Sequence, residues 1–385
     1  MMILPLVRIR VQLTISIRKS CVNNTWNFGM FNPRRLSLAR KRRRFTARIL
    51  AEKADLAVDT ISRLEHGSNP PDEVTVTKLV QALNFPRQFF FDQDPQEIDT
   101  GAVSFRSFSK MSARERDAAI SAGSLGLQLS SWIEDRFSLP APKLLDLSYE
   151  TDPEMAAYSV RQLWSIGVRP IGNLMGLLET KGLRIFSLSE NTASVNAFSF
   201  WRDNKPFIFL NNFKTAESSI FDAAHELGHL VMHKHGDPKE TRSAEREANG
   251  FASAFLMPAK DVRATISKRI TIDTVLKAKK RWRVSAMAMA YRLNSLKLLS
   301  DWQYKSICIE LGKRGYRAGE PEGIDRETSV VWRKVLTQLW SEKTTKNDIA
   351  NSLHLPLDEL EGLIWNLAGL DQRPKNPVEG LRAIN

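Results

Sequence analysis

Cysteine is nearly absent from this sequence, since only Cys21 and Cys308 occur among 385 residues. Two cysteines far apart in the chain cannot form a disulfide framework, and they exclude a zinc site built on thiolates. Long apolar runs are also absent, because no stretch approaches the roughly eighteen uncharged apolar residues of a membrane helix. Arg8 and Arg10 interrupt the region where a signal peptide would have its apolar core. These absences predict a cytoplasmic protein without a membrane partner.

Acidic residues are the scarcer charge, with 43 aspartates and glutamates against 56 lysines and arginines. Residues 1–95 contain 16 of the basic residues and only 8 of the acidic ones, whereas the remaining chain is nearly balanced. Four of those basic residues precede Met30. A basic N-terminal quarter on a balanced remainder predicts a polyanion-binding module joined to a second unit.

Apolar periodicity and chain breakers divide the sequence into five parts. The first part has no period and is predicted to be disordered or a misassigned start, with Met30 as the natural beginning. Short helices, a helical connector, a mixed region with three strands and a final helical region follow. The predicted fold is α+β and mostly helical, with boundaries at 1–29, 30–95, 96–154, 155–300 and 301–385.

The strongest motif lies in residues 221–235, which read Phe-Asp-Ala-Ala-His-Glu-Leu-Gly-His-Leu-Val-Met-His-Lys-His. His225 and His229 are four residues apart, so both imidazoles share one helical face and can reach one metal ion. Glu226 is placed to take a proton from water without binding the metal. Ala223, Ala224 and Gly228 permit the close packing that a buried metal helix requires.

Two residues compete for the third ligand position. His235 has the third-histidine spacing of metzincins, but Met232 stands where those proteins need a glycine to turn the chain back. Glu245 lies sixteen residues after His229, on a second helix predicted to begin at Ser243. That helix aims Glu245 at the metal, places Glu247 off the same face, and lets Asn249 brace a ligand histidine from outside. Glu245 is therefore the predicted third ligand, and a His₂Glu set favours one Zn²⁺ per chain over manganese or iron.

These residues, with Glu245-x-x-Ala248-Asn249-Gly250-Phe251-Ala252 and Phe255-Leu256-Met257-Pro258, resemble the ImmA/IrrE family of zinc metallopeptidases. The resemblance implies a gluzincin-like core in which His225, His229 and Glu245 bind zinc and Glu226 is the base. Members of that family cleave or inactivate DNA-binding repressors, so it also implies a bacterial regulatory protease whose partner is a repressor-type protein. His233 is interpreted as structural and His235 as a surface residue.

A second motif spans Thr46 to Gly67 and resembles the helix-turn-helix of phage repressors (the XRE type). Ala51, Ile61, Leu64, Glu65 and Asn84-Phe85-Pro86 carry the resemblance. Ala47, Asp55 and Ala57 depart from it, although aspartate tolerates the left-handed turn conformation. The resemblance implies double-stranded DNA as a partner, with major-groove contacts from Val58, Asp59, Thr60 and Arg63 and phosphate contacts from Arg40, Lys41, Arg42 and Arg43.

A weaker signal covers residues 345–360, which have helix-turn-helix spacing but match plain helical hairpins equally well; the hairpin is the favoured interpretation. The prediction for the whole chain is a DNA-binding regulatory zinc metalloendopeptidase, in which a homodimer is an open option. Two alternatives remain: a transcriptional regulator that uses the metal fold as a sensor without turnover, and a toxin–antitoxin component.

Overall fold

The structure, a computed structural model, describes residues 30–98, 111–188, 197–211, 213–234, 241–266, 269–364 and 367. Within those ranges it contains sixteen α-helices, one short 3-10 helix and a three-stranded sheet. The predicted α+β, mostly helical fold class is confirmed. Among the helices of these ranges, none combines the length and the apolar character needed to cross a bilayer.

The N-terminal part is a cluster of four short helices that begin and end where local signals predict. Asn32, Thr46 and Asp72 accept hydrogen bonds from backbone amides as N-caps, and Asp55 and Asn84 end helices in the left-handed conformation. The helices are α1 Pro33–Arg42, α2 Ala47–Ala54, α3 Val58–Glu65 and α4 Glu73–Leu83, followed by a 3-10 helix at Arg87–Phe91. Their apolar faces, including Leu36, Leu50, Ile61, Leu79 and Phe89, form a fully buried core.

The middle of the chain adds three further helices. The long helix α5, Ala113–Glu134, begins with a capping box between Ser112 and Glu115 and contacts α1. The other two are α6 Pro153–Leu163 and α7 Leu174–Thr180.

The sheet has strand order β1–β3–β2, with β1 Arg184–Leu188, β2 Ala197–Arg202 and β3 Lys205–Asn211. The central strand β3 pairs in parallel with β1 and antiparallel with β2. Asp203 and Asn204 join β2 to β3 with positive φ angles of 49° and 57°, the conformation that a two-residue hairpin requires. Stacked phenylalanines, including Phe186, Phe198 and Phe209, fill one face of the sheet.

Helix α8, Ala216–Met232, packs against β2 and β3 on one side and against α9, Thr241–Leu256, on the other. Gly228 makes this second contact possible, because a Cβ at this position would lie 3.1 Å from Phe251 and 3.2 Å from the Cα of Ala248. Helices α10 Ala259–Thr265, α11 Ile272–Trp282 and α12 Ala286–Ser295 follow. Of the small residues predicted to allow tight packing, Gly228 therefore lies at a helix–helix contact.

The C-terminal helices are α13 Asp301–Lys313, α14 Val330–Ser341, α15 Lys346–Ser352 and α16 Leu357–Ile364. Residues 320–327, which we term the acidic strap, run from α13 towards α14 across the core. Glu327 of the strap accepts a hydrogen bond from Met175 N at the start of α7, while Glu179 of α7 accepts from Val330 N and Val331 N at the start of α14. Buried carboxyl groups thus cap the starts of two helices, with Glu327 at α7 and Glu179 at α14.

Candidate metal centre

The two histidines of the His-Glu-x-x-His motif lie in the middle of α8, on the face that meets α9. Thr215 caps the start of α8, and most residues from Ala223 onward are buried. His225 keeps 14 % of its side chain exposed, whereas His229 keeps 8 %. His225 is therefore the more exposed of the two motif histidines.

Glu245, on the first half of α9, completes a group of three with these histidines. Nε2 of His229 lies 3.1 Å from Nε2 of His225 and 3.1 Å from Oε1 of Glu245, and Nε2 of His225 lies 3.4 Å from Oε2 of Glu245. Ligand atoms that surround one zinc ion tetrahedrally at ~2.1 Å are ~3.4 Å apart. The spacing of the three donors therefore matches a zinc-sized ion.

Hydrogen bonds on the far side of each imidazole fix which nitrogen faces the site. Nδ1 of His225 donates to Oδ1 of Asn249 over 3.2 Å, so its Nε2 presents a lone pair. Nε2 of His233 donates to Oε2 of Glu247 over 3.0 Å, which leaves its Nδ1 to accept from Nδ1 of His229, 3.1 Å away. Nε2 of His229 then also presents a lone pair to the site.

The donor set is suited to a cation. With a hydrogen on each outer Nδ1, two imidazole lone pairs and a carboxylate face one another, and a positive ion among them stabilises such an arrangement. Burial lowers the pKa of His229 to about 4, so this ring is neutral at pH 7. Burial acts to raise the pKa of Glu245, but the electrostatic influence of the adjacent His225 and His229 outweighs it and holds that pKa well below its ordinary value. The residues present therefore fit zinc.

Glu226 is oriented by a residue that the sequence did not indicate. Its side chain is buried, and Oγ of Ser199 on β2 donates a hydrogen bond of 2.6 Å to its Oε2. Burial raises the pKa of Glu226 to about 7, against the opposing effects of His225 and of this hydrogen bond. A carboxyl group that changes protonation near neutral pH is suited to accept and return a proton.

Each residue predicted for the metal site and lying in the described ranges is part of this cluster. Helix α9 begins two residues before the predicted Ser243, and Glu247 points to His233 rather than to the ligand group. His235 lies outside the described residues. The role of His233 as a partner of His229 was not predicted, although its spacing of four residues from His229 is the sequence signal that could have revealed it.

The residues predicted to read DNA lie on the outer side of α3. Val58 is 47 % exposed, Asp59 and Arg63 are exposed, and Thr60 is half-buried. Arg63 Nε donates to Oδ2 of Asp59 over 2.9 Å, one turn along the same helix.

The predicted phosphate-binding residues at the end of α1 have different surroundings. Lys41 is exposed, and Arg40 forms a bidentate pair with Glu65, with N–O distances of 2.7 and 2.8 Å. Arg42 and Arg43 both contact Glu359 of α16, at 2.6 and 2.8 Å. In this conformation the three arginines donate to carboxylates of the chain itself.

Comparison with known protein families gives one match. Residues 178–294 match a peptidase family described as the IrrE N-terminal-like domain. The matched stretch contains the sheet, α8 and α9, whereas α1 to α6 and the acidic strap lie outside it. This match supports the ImmA/IrrE resemblance and a peptidase-like role for that part of the chain. No curated protein matches the sequence.

Proposed function

We propose that this protein is a zinc-dependent metalloendopeptidase that controls transcription by cleaving a repressor-type protein, and that its N-terminal helices bind double-stranded DNA. One observation carries the peptidase proposal: two imidazole lone pairs and a carboxylate converge beside a buried, hydrogen-bonded glutamate. A metal site that served structure alone would be closed by a fourth protein ligand and would need no such glutamate.

His225, His229 and Glu245 would hold the ion. When bound, zinc supplies a Lewis acid that polarises a carbonyl group and makes water more acidic. Glu226 accepts the proton of the attacking water and returns it to the leaving nitrogen. Ser199 keeps the accepting carboxylate in place, because its hydroxyl donates a hydrogen bond to one carboxylate oxygen.

The position of Ser199 also indicates how a peptide substrate would lie. This residue belongs to β2, which pairs on one side with β3; on its other side, no strand among the described residues pairs with it. An extended peptide can add to such an edge through backbone hydrogen bonds, and it would then pass the carboxylate that Ser199 contacts. The substrate segment is therefore proposed to be extended where it is cut.

The test of the peptidase proposal is a proteomic comparison of cells that produce the wild type or Glu226→Gln. We expect one or a few DNA-binding proteins to be depleted by the wild type only, while both proteins bind equal amounts of zinc. Equal cleavage by the two proteins, or none by either, would contradict peptidase activity. In that case the regulator that senses a metal without turnover becomes the better explanation.

The DNA proposal has its own test, because it rests on the exposed side of α3. Arg63→Ala should weaken binding to the cognate duplex by about 5- to 150-fold, the cost of about 1–3 kcal/mol for one base contact. Arg314→Ala is the matched control, since Arg314 forms the same kind of exposed pair with Glu310, four residues away on α13. Equal effects of the two changes would argue against reading by α3.

A further inference from the structure

Three helices near the C-terminus repeat the first three helices of the described chain. We term residues 33–65 the N-terminal trihelix (α1, α2 and α3) and residues 330–364 the C-terminal trihelix (α14, α15 and α16). Thr46 caps α2 and Thr345 caps α15, each through its side-chain oxygen to the amide three residues on. Thr345 lies 299 residues after Thr46, and the same offset relates every pair of positions compared below.

Both connections have the same backbone conformation at matching positions. Arg44 and Lys343, in the turns after the first helices, have φ angles of 58° and 59°. Asp55 and His354, in the turns after the second helices, have φ angles of 49° and 52°. None of the four is glycine, so each pays a steric cost for this conformation, and chance agreement at both turns is improbable.

The core positions also correspond. Leu50, Ala51, Ala54, Ile61 and Leu64 are buried in the N-terminal trihelix, and their counterparts Ile349, Ala350, Leu353, Leu360 and Leu363 are buried in the other. The residues 345–360, for which a plain hairpin was favoured, therefore have the helix lengths, turn and core of the α2–α3 pair.

The third helices differ in chemistry. Val58, Asp59 and Arg63 of α3 face solvent, whereas the first two turns of α16 contain three acidic residues: Asp358, Glu359 and Glu361. A recognition helix lies in a DNA groove between two rows of phosphates. The three carboxylates of α16 would be repelled by those phosphates. Glu359 is moreover 3 % exposed, so it is already covered.

The basic end of α1 covers Glu359. Glu359 Oε2 lies 2.6 Å from Nε of Arg42, and Glu359 Oε1 lies 2.8 Å from NH1 of Arg43. Asp358 adds a contact of 3.0 Å to the same Arg43 atom. The rest of the Arg43 guanidinium donates to the carbonyl oxygens of Leu83 and Asn84, at the end of α4.

We infer that the C-terminal trihelix is a second helix-turn-helix unit whose third helix binds the basic end of the first unit instead of DNA. Its partner surface is the arginine pair of α1, and its recognition group is the buried carboxylate of Glu359. This interaction fixes the N-terminal trihelix to the body that carries the metal centre, and it takes Arg42 and Arg43 away from phosphates. The inference does not depend on the peptidase activity or on DNA binding.

The test is hydrogen exchange of the full chain, followed by mass spectrometry, in the wild type, Glu359→Gln and Glu361→Gln. Glu361 is the matched control, because it lies on the same helix, carries the same charge and pairs only with Lys346 of its own unit among the described contacts. We expect Glu359→Gln to accelerate exchange at residues 36–43 by at least about 10-fold, since amides there open when the clamp is released. Glu361→Gln should change the exchange rate at these residues by less than about 2-fold.

Arg42→Gln tests the same contact from the other side and should accelerate exchange in α16. The double variant Arg42→Gln/Glu359→Gln should be no worse than the single variants, because their effects share one contact. Unchanged hydrogen exchange in peptides from α8 and α9, together with an unchanged zinc content of the protein, shows that the core is still folded. Equal exchange in Glu359→Gln and Glu361→Gln, additive effects in the double variant, or protection of α16 by duplex DNA would each overturn the inference.

Discussion

Nδ1 of His229 lies 3.1 Å from Nδ1 of His233, so the second motif histidine is held by the next histidine one turn along the same helix. His233 is held in turn by Glu247 on α9. This chain of contacts fixes the ring that faces the site, and it links the two helices that supply the candidate ligands. Partners of this kind orient a metal ligand and make it a stronger donor.

His233→Ala should weaken zinc binding by about 10- to 100-fold, because the ring of His229 loses its acceptor and its fixed tautomer. The measurement is competition with a chelator of known affinity. His354→Ala is the control, since His354 pairs with Asp92 in another part of the fold. Unchanged zinc affinity in His233→Ala would show that the contact does not orient the ligand.

Glu245→Gln should lower zinc affinity more than His233→Ala does, because replacing the carboxylate by an amide removes the only negative charge of the ligand group. His235→Ala should leave zinc affinity unchanged, since Glu245 already occupies the third position. Zinc content and affinity of the two purified variants decide between the alternative ligands. A larger loss of zinc affinity in His235→Ala than in Glu245→Gln would instead identify His235 as the third ligand.

Gly228→Ala should destabilise the protein by about 1–3 kcal/mol, the usual cost of forcing extra volume into a packed core. The new methyl group would push α8 away from Phe251 and Ala248, and the ligands on the two helices would separate with it. Urea unfolding and chelator competition measure the two effects. Gly172→Ala is the control, because nothing lies within 4 Å of a Cβ placed there. Wild-type stability in Gly228→Ala would contradict the tight helix contact.

Glu179 should make stability fall as the pH rises. Burial raises the pKa of Glu179 from 4.5 to about 7, against the hydrogen bonds from Ser329, Val330 and Val331. The folded state thus keeps a proton that the unfolded state has already lost. The contribution is full below pH 4.5 and is lost as the pH approaches 7, an effect of about 3 kcal/mol in total.

Glu179→Gln cannot release a proton, so the difference in unfolding free energy between it and the wild type should change over this pH window. Urea titrations at pH 5, 6, 7 and 8 measure that difference. Glu310→Gln, at an exposed position, should follow the wild type at every pH. A constant difference between Glu179→Gln and the wild type would contradict a pKa of Glu179 within this pH window.

Local signals allowed the sequence to predict much of this fold. Thr46, Asp55 and the His225–His229 spacing act within one or two helical turns, so the helices, the turn and the paired imidazoles could be anticipated. Glu245 could be placed because the next helix was predicted to begin at Ser243, close to its observed start at Thr241.

Contacts between distant segments could not be anticipated. Ser199 meets Glu226 only because β2 packs on α8, and Glu359 meets Arg42 across more than 300 residues of sequence. No periodicity records such pairs, since they depend on how whole elements pack. The role expected for Arg42 and Arg43 followed from their charge and from the helix-turn-helix resemblance, and neither shows which partner a residue has.

The acidic strap sets an order of events during synthesis. Glu217, in the first turn of α8, accepts a hydrogen bond from the backbone amide of Ile324, 107 residues later. The start of α7 is capped by Glu327, 152 residues after Met175. At roughly 5–20 residues per second, a ribosome needs about 5–20 s to add the hundred residues between α8 and the strap. During that interval the nascent chain has both histidines but an incomplete scaffold around them. The starts of α7 and α8 therefore gain these contacts only after residues 320–327 have been made, so the scaffold of the candidate metal centre is completed well after its ligands are synthesised.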